Sequence, residues 1–549
     1  MNRGMIKISI LFLFLVVQVF YCRTDAQASN GTVKVQETHQ TMVGFGASIA
    51  WYNNWLTNHP NKEMLYSQIF DDLSLDILRL RNNYRNNPDN FANDDAEIVT
   101  NFYSYSSAEP KILISSWSPP VNLKSNNSLN SGTLKKVEGQ YVYGDFARYW
   151  IDALNAYSNL GIVPDYISIQ NEPSFDATWE SCYFDPTENA TWPGYDRALD
   201  SVYAALEQYS PKPLILASEV HGIGYNTFQN YANRFNHDYA DGYAYHLYHG
   251  GSANNTDPDQ FISNLSAIAA SYSDKPIFQT EYDYGDWFNT AWLMHNCLVS
   301  GNVSGYLYWS LIWDASGGKP LIGLENPWNS GSWTTGDGYI LRPEYWAFRQ
   351  YSRYIDNGWK RVTATSDDSN LRISAFINPQ GTKLTLVVLN VNASQAGQMD
   401  FNLQGFAVSS GIVVRTSATE QGEEISSSYN GGTTLDLPAH SITTIAFSGT
   451  VVDAIQSETA VPDRFNLAQN FPNPFNPVTT INYSLAKAGF VQLKIFNIAG
   501  QELMTIVQGN KPAGSYTVKF NAGNLGSGVY IYQLRAGDFV ESRKMILIK

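Results

Sequence analysis

Cysteine is scarce: three residues in 549, and no Cys/His spacing that reads as a metal site. Neither a metal nor a cofactor is expected. Positive charge is short too. The net charge of −15 argues against nucleic acid or an anionic membrane surface as a main partner, and leaves a polysaccharide open. Long apolar runs are missing after the first residues, so no membrane-spanning segment is expected. The exception is N-terminal. Arg3 and Lys7 precede an apolar run from Ile8 to Tyr21, and Ala26-Gln-Ala28 offers an A-x-A cleavage site. Residues 1–28 read as a secretory signal peptide, too short and wrongly flanked to span a membrane. Bulky Tyr21 before Cys22 argues against a lipoprotein. Cleavage after Ala28 leaves Cys182 and Cys297, which an exported chain could bond to each other.

Aromatic residues are plentiful, with 14 Trp and 35 Tyr. Rings fill cores, but they also stack on the flat C–H faces of sugars. The length calls for a large core plus appendages. Residues 29–41 hold one lone strand, expected to join a side β-sandwich. Over 42–357, strands alternate with helices, the signature of a parallel sheet. Eight strands are expected, at 44–48, 75–81, 111–116, 165–172, 213–218, 242–248, 275–281 and 305–311, giving a (β/α)8 barrel. One helix is expected to be capped by Asp145 and to end at Gly161, with Phe146, Tyr149, Trp150, Ala153, Leu154 and Tyr157 on its apolar face. From 358 to 449, short alternating stretches broken by turns predict an antiparallel β-sandwich. Residues 450–464 read as a polar linker, and 465–549 as a small immunoglobulin-like β-sandwich. The protein is expected to be a monomer.

Two stretches carry the chemistry. Asp165-Tyr-Ile-Ser-Ile-Gln-Asn-Glu-Pro-Ser174 and Lys275-Pro-Ile-Phe-Gln-Thr-Glu-Tyr282 each end a strand in Gln-x-Glu. Strand alternation would put Gln170 with Glu172, and Gln279 with Glu281, on one polar face. Two carboxylates delivered from the ends of two parallel strands suit cleavage of a glycosidic bond. Glu172 is assigned as acid/base and Glu281 as nucleophile. A retaining pair should have carboxyl groups about 5–5.5 Å apart. Arg79 is a candidate partner for Glu281, or else part of a structural ion pair. Asn171 could hydrogen-bond a sugar hydroxyl. Trp117 and Trp309 could wall a sugar ring, and His246 and Tyr248 are further candidates for substrate binding. A histidine on that strand is as readily a satisfied structural group. Glu219 is the rival third carboxylate, read as an ion-pair or substrate hydrogen-bonding group. All of these residues fall at strand ends, where such barrels carry their sites.

The set GFGAS, ILRLR, ILISSWSPPVNLKSN, DYISIQNEP, YHLY, QTEY and YLYWSL resembles glycoside hydrolase family 30, over residues 31 to 449. The resemblance implies a barrel with an attached sandwich, acid/base Glu172 and nucleophile Glu281. Trp117-Ser-Pro-Pro120 and Leu123-Lys-Ser-Asn-Asn127 look most like the xylanase branches. That implies endo-β-1,4-xylanase action on xylan or glucuronoxylan of plant cell walls. Some branches grip a glucuronate through an Arg after the eighth strand; here 312–322 contains Lys319 and no Arg. Arg81 and Arg85 are substitutes by position only. A β-1,6-glucanase or β-glucosidase specificity is the alternative, and a non-catalytic carbohydrate-binding surface protein a more distant one. QNFPNPFNP at 469–477, GVYIYQL at 528–534 and the basic end resemble a type IX secretion sorting domain. That implies secretion machinery as a partner, and a secreted or surface-attached product.

Overall fold

The structure is a computed structural model that describes residues 28–85, 91–106, 109–249, 257–334, 336, 338–452 and 464–549. The expected leader, apart from Ala28, lies outside the described residues, as do linker residues 453–463.

Strand β1 (Ser29–Thr41) precedes eight strands that close into a barrel. They are β2 (Gly44–Ser48), β3 (Ile77–Arg81), β4 (Lys111–Ser115), β5 (Tyr166–Ser168), β6 (Leu214–Val220), β7 (Gly242–His246), β8 (Ile277–Glu281) and β9 (Val303–Tyr308). All pair in parallel and in chain order, with β9 returning to β2. Strand residues such as Leu78, Leu80, Ile112, Ile114 and Tyr245 point out to the helices and join one large core. On the inner face, Ile77, Leu113, Leu216, Ala244, Phe278 and Leu307 fill the barrel's lower layer. Fully burying such side chains stabilises by about 1.5–3 kcal/mol each, so the layer is a packed floor.

Helix α1 (Tyr143–Asn159) buries the expected apolar face against this core. Gly161, at φ 79°, closes it. Ile162 N–H donates to Tyr157 C=O and Gly161 N–H to Ser158 C=O, both at 3.0 Å. Asp145 is not its cap. The helix starts at Tyr143, three residues earlier than such a cap implies, and the Tyr143 hydroxyl accepts from the Gly194 N–H at 2.7 Å. Asp145 lies in the first turn, where its charge still suits the helix dipole.

Eight further strands follow: β10 (Lys360–Ser366), β11 (Leu371–Ile377), β12 (Lys383–Asn390), β13 (Gly397–Gln404), β14 (Phe406–Thr416), β15 (Gln421–Ser426), β16 (Leu435–Leu437) and β17 (Ser441–Val451). With β1 they form a nine-stranded sheet in the order β15-β14-β17-β12-β11-β10-β1-β13-β16. Its own core includes Val33, Leu386, Val388 and Ile445. β1 pairs antiparallel with β10 and parallel with β13, so the N-terminal strand stitches the sandwich from within.

Residues 464–549 form a second compact unit. One sheet joins Asn466–Leu467, Val478–Leu485 and Gly514–Asn521. The other joins Glu502–Lys511, Gly489–Asn497, Gly528–Ala536 and Phe539–Leu547. Leu467, Ile481, Leu493, Tyr532 and Met545 lie in the core of this two-sheet sandwich. Cys182 and Cys297 are both free and buried. No helix among the described residues is long and apolar enough to cross a membrane.

Candidate active site

Two residues above the floor the chemistry changes. Ile77 is followed on the inner face by Arg79, Leu113 by Ser115 and Ala244 by His246. Arg79 is fully buried and ties the barrel mouth together. Its Nη1 donates to Glu281 Oε2 at 2.6 Å, Nη2 to Asn171 Oδ1 at 2.6 Å, and Nε to Ser115 Oγ at 3.2 Å. Nη2 also lies 3.2 Å from Glu219 Oε1, and the guanidinium sits 4.6 Å from the Trp117 ring centroid. A planar five-donor fork suits such a hub.

Neither glutamate reaches the mouth by simple alternation. Phe278 belongs to the floor, so strict alternation would raise Thr280, not Glu281, into the mouth. The pairing of β8 with β7 shifts register between Gln279 and Glu281, and this turns Glu281 inward. Likewise β5 ends at Ser168. Glu172 lies beyond it at φ 48°, with Gln170 Nε2 donating back to the Trp117 C=O at 2.7 Å. A non-glycine residue in this left-handed region is uncommon, and such sites cluster where function fixes the backbone. Glu219 has the same geometry, at φ 51° beside a register shift in β6.

The two carboxyls sit differently. Glu281 Oε1 accepts from Tyr248 Oη at 2.9 Å, while Oε2 accepts from Arg79. Glu172 Oε1 lies 2.9 Å from His246 Nδ1 and 3.9 Å from His221 Nε2. Burial raises the Glu172 carboxyl above the ordinary range, against the opposing pull of His246. Burial works against a charged His246, but Glu281, Glu172 and Glu219 outweigh it and push that imidazole up to about 9. Burial would also raise Glu219, but Arg79 and His246 outweigh it and hold Glu219 down at about 2. Arg79 and His246 thus face three carboxyls, of which burial works against charge on Glu172. One oxygen of Glu172, one of Glu281 and a ring nitrogen of His246 all lie within 4.8 Å of one another.

Above the pair opens a cleft of about 680 Å³. Two aromatic runs wall it. Trp51, Trp117 and Trp309, with Tyr52 and Trp313, come from the loops after β2, β4 and β9. Trp179, Phe175, His221 and Tyr248, with His249, come from those after β5, β6 and β7. Of the residues singled out in the sequence, Glu172, Glu281, Trp117, Tyr248 and Trp309 line the cleft. Arg79 and His246, expected to bind substrate, lie fully buried beneath it and act through the carboxyls. Asn171, expected to hydrogen-bond a sugar hydroxyl, is buried, and its carboxamide oxygen accepts from Arg79. Glu219 is an ion-pair group, fully buried under Arg79 with Ser115 Oγ donating to it at 3.2 Å. Trp51, Tyr52, Trp313, Phe175, Trp179, His221 and His249 escaped the sequence reading. Trp51 follows β2 by three residues and His221 follows β6 directly, so the strand-end rule was the available signal.

Comparison with known proteins fits this architecture. Residues 358–445 match the glycosyl hydrolase family 30 beta sandwich domain. The matched span is most of the side sandwich. The chain's barrel and sandwich share their fold with a GH30 endoxylanase from Clostridium papyrosolvens, at 22% identity and a TM-score of 0.57, over 76% of this chain and 100% of that one. In sequence the chain is 22% identical over 406 residues to the putative glucosylceramidase 1 of Caenorhabditis elegans, covering 65% of this chain and 75% of that one. It is 24% identical over 310 residues to the endo-1,6-beta-D-glucanase of Neurospora crassa, covering 50% of this chain and 60% of that one. Residues 469–549 match the secretion system C-terminal sorting domain, which marks a secreted or cell-surface protein.

Proposed function

We propose that this protein is a family 30 glycoside hydrolase, a retaining endo-β-1,4-xylanase in which Glu172 is the acid/base and Glu281 the nucleophile. The observation that carries the mechanism is the closeness of the two carboxyls, with oxygens within 4.8 Å. Retaining pairs stand about 5–5.5 Å apart, whereas inverting pairs leave room for water at about 6.5–9.5 Å. In the first step a Glu281 oxygen bonds to the anomeric carbon as the glycosidic C–O bond breaks, and the Glu172 proton passes to the leaving oxygen. In the second, Glu172 takes a proton from water, whose oxygen displaces Glu281. Burial of Glu172 supports a proton held at rest. Donation from Arg79 and Tyr248 supports charge on Glu281 before attack.

An open cleft with aromatic walls on both sides of the pair supports cutting within a chain. The xylan reading rests on the Trp117-Ser-Pro-Pro120 and Leu123–Asn127 segments. None of the described residues lining the cleft is Lys or Arg. Arg81 and Arg85 both ion-pair with Glu180. These features support a neutral xylan backbone over a glucuronate grip. Similarity to the Neurospora glucanase favours β-1,6-glucan as the second reading. Reducing-sugar release from xylan, glucuronoxylan and β-1,6-glucan separates them: xylan cleavage is expected, and activity on the glucan alone would sink the xylanase reading. We read residues 1–28 as the export leader, 42–357 as the catalytic barrel and 465–549 as the sorting tail, acting on plant cell-wall polysaccharide outside the cell.

A further inference from the structure

The cleft does not end at Phe175. Phe175, His221 and His249 are shared with a second cavity of about 430 Å³, which also borders Gly222 and Tyr225. That cavity shares Ser174 and Thr227 with a third of about 480 Å³, lined by polar groups including Asp185, Gln229 and Arg234. The three form one trough along the loops after β5, β6 and β7. Gly222 lets the loops after β6 and β7 pack closely beside it, since a Cβ there would lie 2.7 Å from the His249 backbone nitrogen.

Tyr225 stands at the side of this trough. Its ring is 85% exposed, unusual for so large an aromatic group. Its backbone is left-handed (φ 55°, ψ 26°), as is that of Asn226 (φ 58°, ψ 25°). That conformation is disfavoured for residues that carry a Cβ. Core packing does not explain a strained turn that holds a ring out to solvent beside a groove. The trough has a direction as well. On the reading of Glu172 as the acid, the leaving group must lie on the side that Glu172 opens. The loop from Glu172 runs through Phe175 to Trp179, and the rings continue from Phe175 to His221 at 4.4 Å, stacked within 15°. Burial, His246 and His249 hold His221 down at about 3, so it presents a neutral ring.

We propose that this trough binds the leaving-group side of the polysaccharide, with Tyr225 as a stacking platform for a sugar unit beyond the one next to the cleaved bond. The polar third cavity takes the hydroxyls of units further on. The test compares wild type, Tyr225→Ala and Tyr225→Phe on linear oligosaccharides of increasing length from the polysaccharide that the enzyme hydrolyses. The KM ratio of Tyr225→Ala to wild type should climb with chain length to roughly three- to tenfold, as expected for one lost ring contact. At the same time kcat should hold, and Tyr225→Phe should follow wild type because the ring face does the binding. A ratio independent of length overturns the platform while leaving the catalytic reading intact. A wild type that cleaves no β-glycan overturns that reading, and the platform with it.

Discussion

The floor and the mouth of the barrel are built from the same strands two residues apart, and they do opposite things. In the floor, Ile77, Leu113, Leu216, Ala244, Phe278 and Leu307 pack against one another. In the mouth, Arg79, His246, Glu219 and Glu281 are as deeply buried, but they are charged and hold one another. Burying ions is costly unless they are paired and hydrogen-bonded. The floor therefore stabilises the fold, while the mouth spends stability on fixing two carboxyls within 4.8 Å. The step from one to the other coincides with irregular backbone. A register shift precedes Glu281, and positive φ occurs at Glu172 and Glu219.

The strongest break of this contrast is chemical. Glu281→Gln nearly preserves shape and removes the proposed nucleophile. It should lower kcat by at least about a thousandfold on every substrate, with little change in melting temperature. Activity at wild-type level would remove Glu281 from the mechanism. Glu172→Ala should lose the same order on polysaccharide and much less on an aryl glycoside whose leaving group needs no proton. Equal loss on both would deny Glu172 the acid role.

Arg79→Leu strips the mouth of its hub and leaves buried carboxylates unpaired. It should destabilise by about 3–5 kcal/mol in denaturant titration and also abolish turnover. Leu307→Ala in the floor should destabilise by about 2–5 kcal/mol yet keep kcat per folded molecule. If the floor variant lost kcat as Arg79→Leu does, the division between the layers would fail.

The smallest effect is in pH. Glu219 is held at about 2, below its unfolded value near 4.5, so its contribution is present above that value and is lost as pH falls through 2. His246 is raised to about 9, so its contribution is complete below pH 6.5 and is lost as pH rises through 9. Melting temperature should therefore drop at both ends. Glu219→Gln should flatten the acid side, whereas Leu307→Ala should lower the whole curve without changing its shape.

The sequence showed the strands because apolar runs bounded by Gly and Pro are local signals. It showed Glu172 and Glu281 because both close such runs. It misled on how they face the site: alternation assumes regular strands, and neither the register shift at Gln279 nor the early end of β5 at Ser168 has a local sequence mark. The aromatic walls were illegible for a related reason. Trp51, Phe175 and Trp179 lie in loops without periodicity and Trp313 in a three-residue strand, and only barrel closure gathers them at one mouth. Glu219 was visible as a third carboxylate, but its burial under Arg79 depends on a contact spanning about half the barrel.

The most direct test of the account is to trap the covalent intermediate with a 2-deoxy-2-fluoro glycoside of the sugar cleaved and to map the labelled peptide by mass spectrometry. The account predicts one sugar attached to Glu281. A label on Glu172 or Glu219, or none on an enzyme that turns over the parent glycoside, would contradict it.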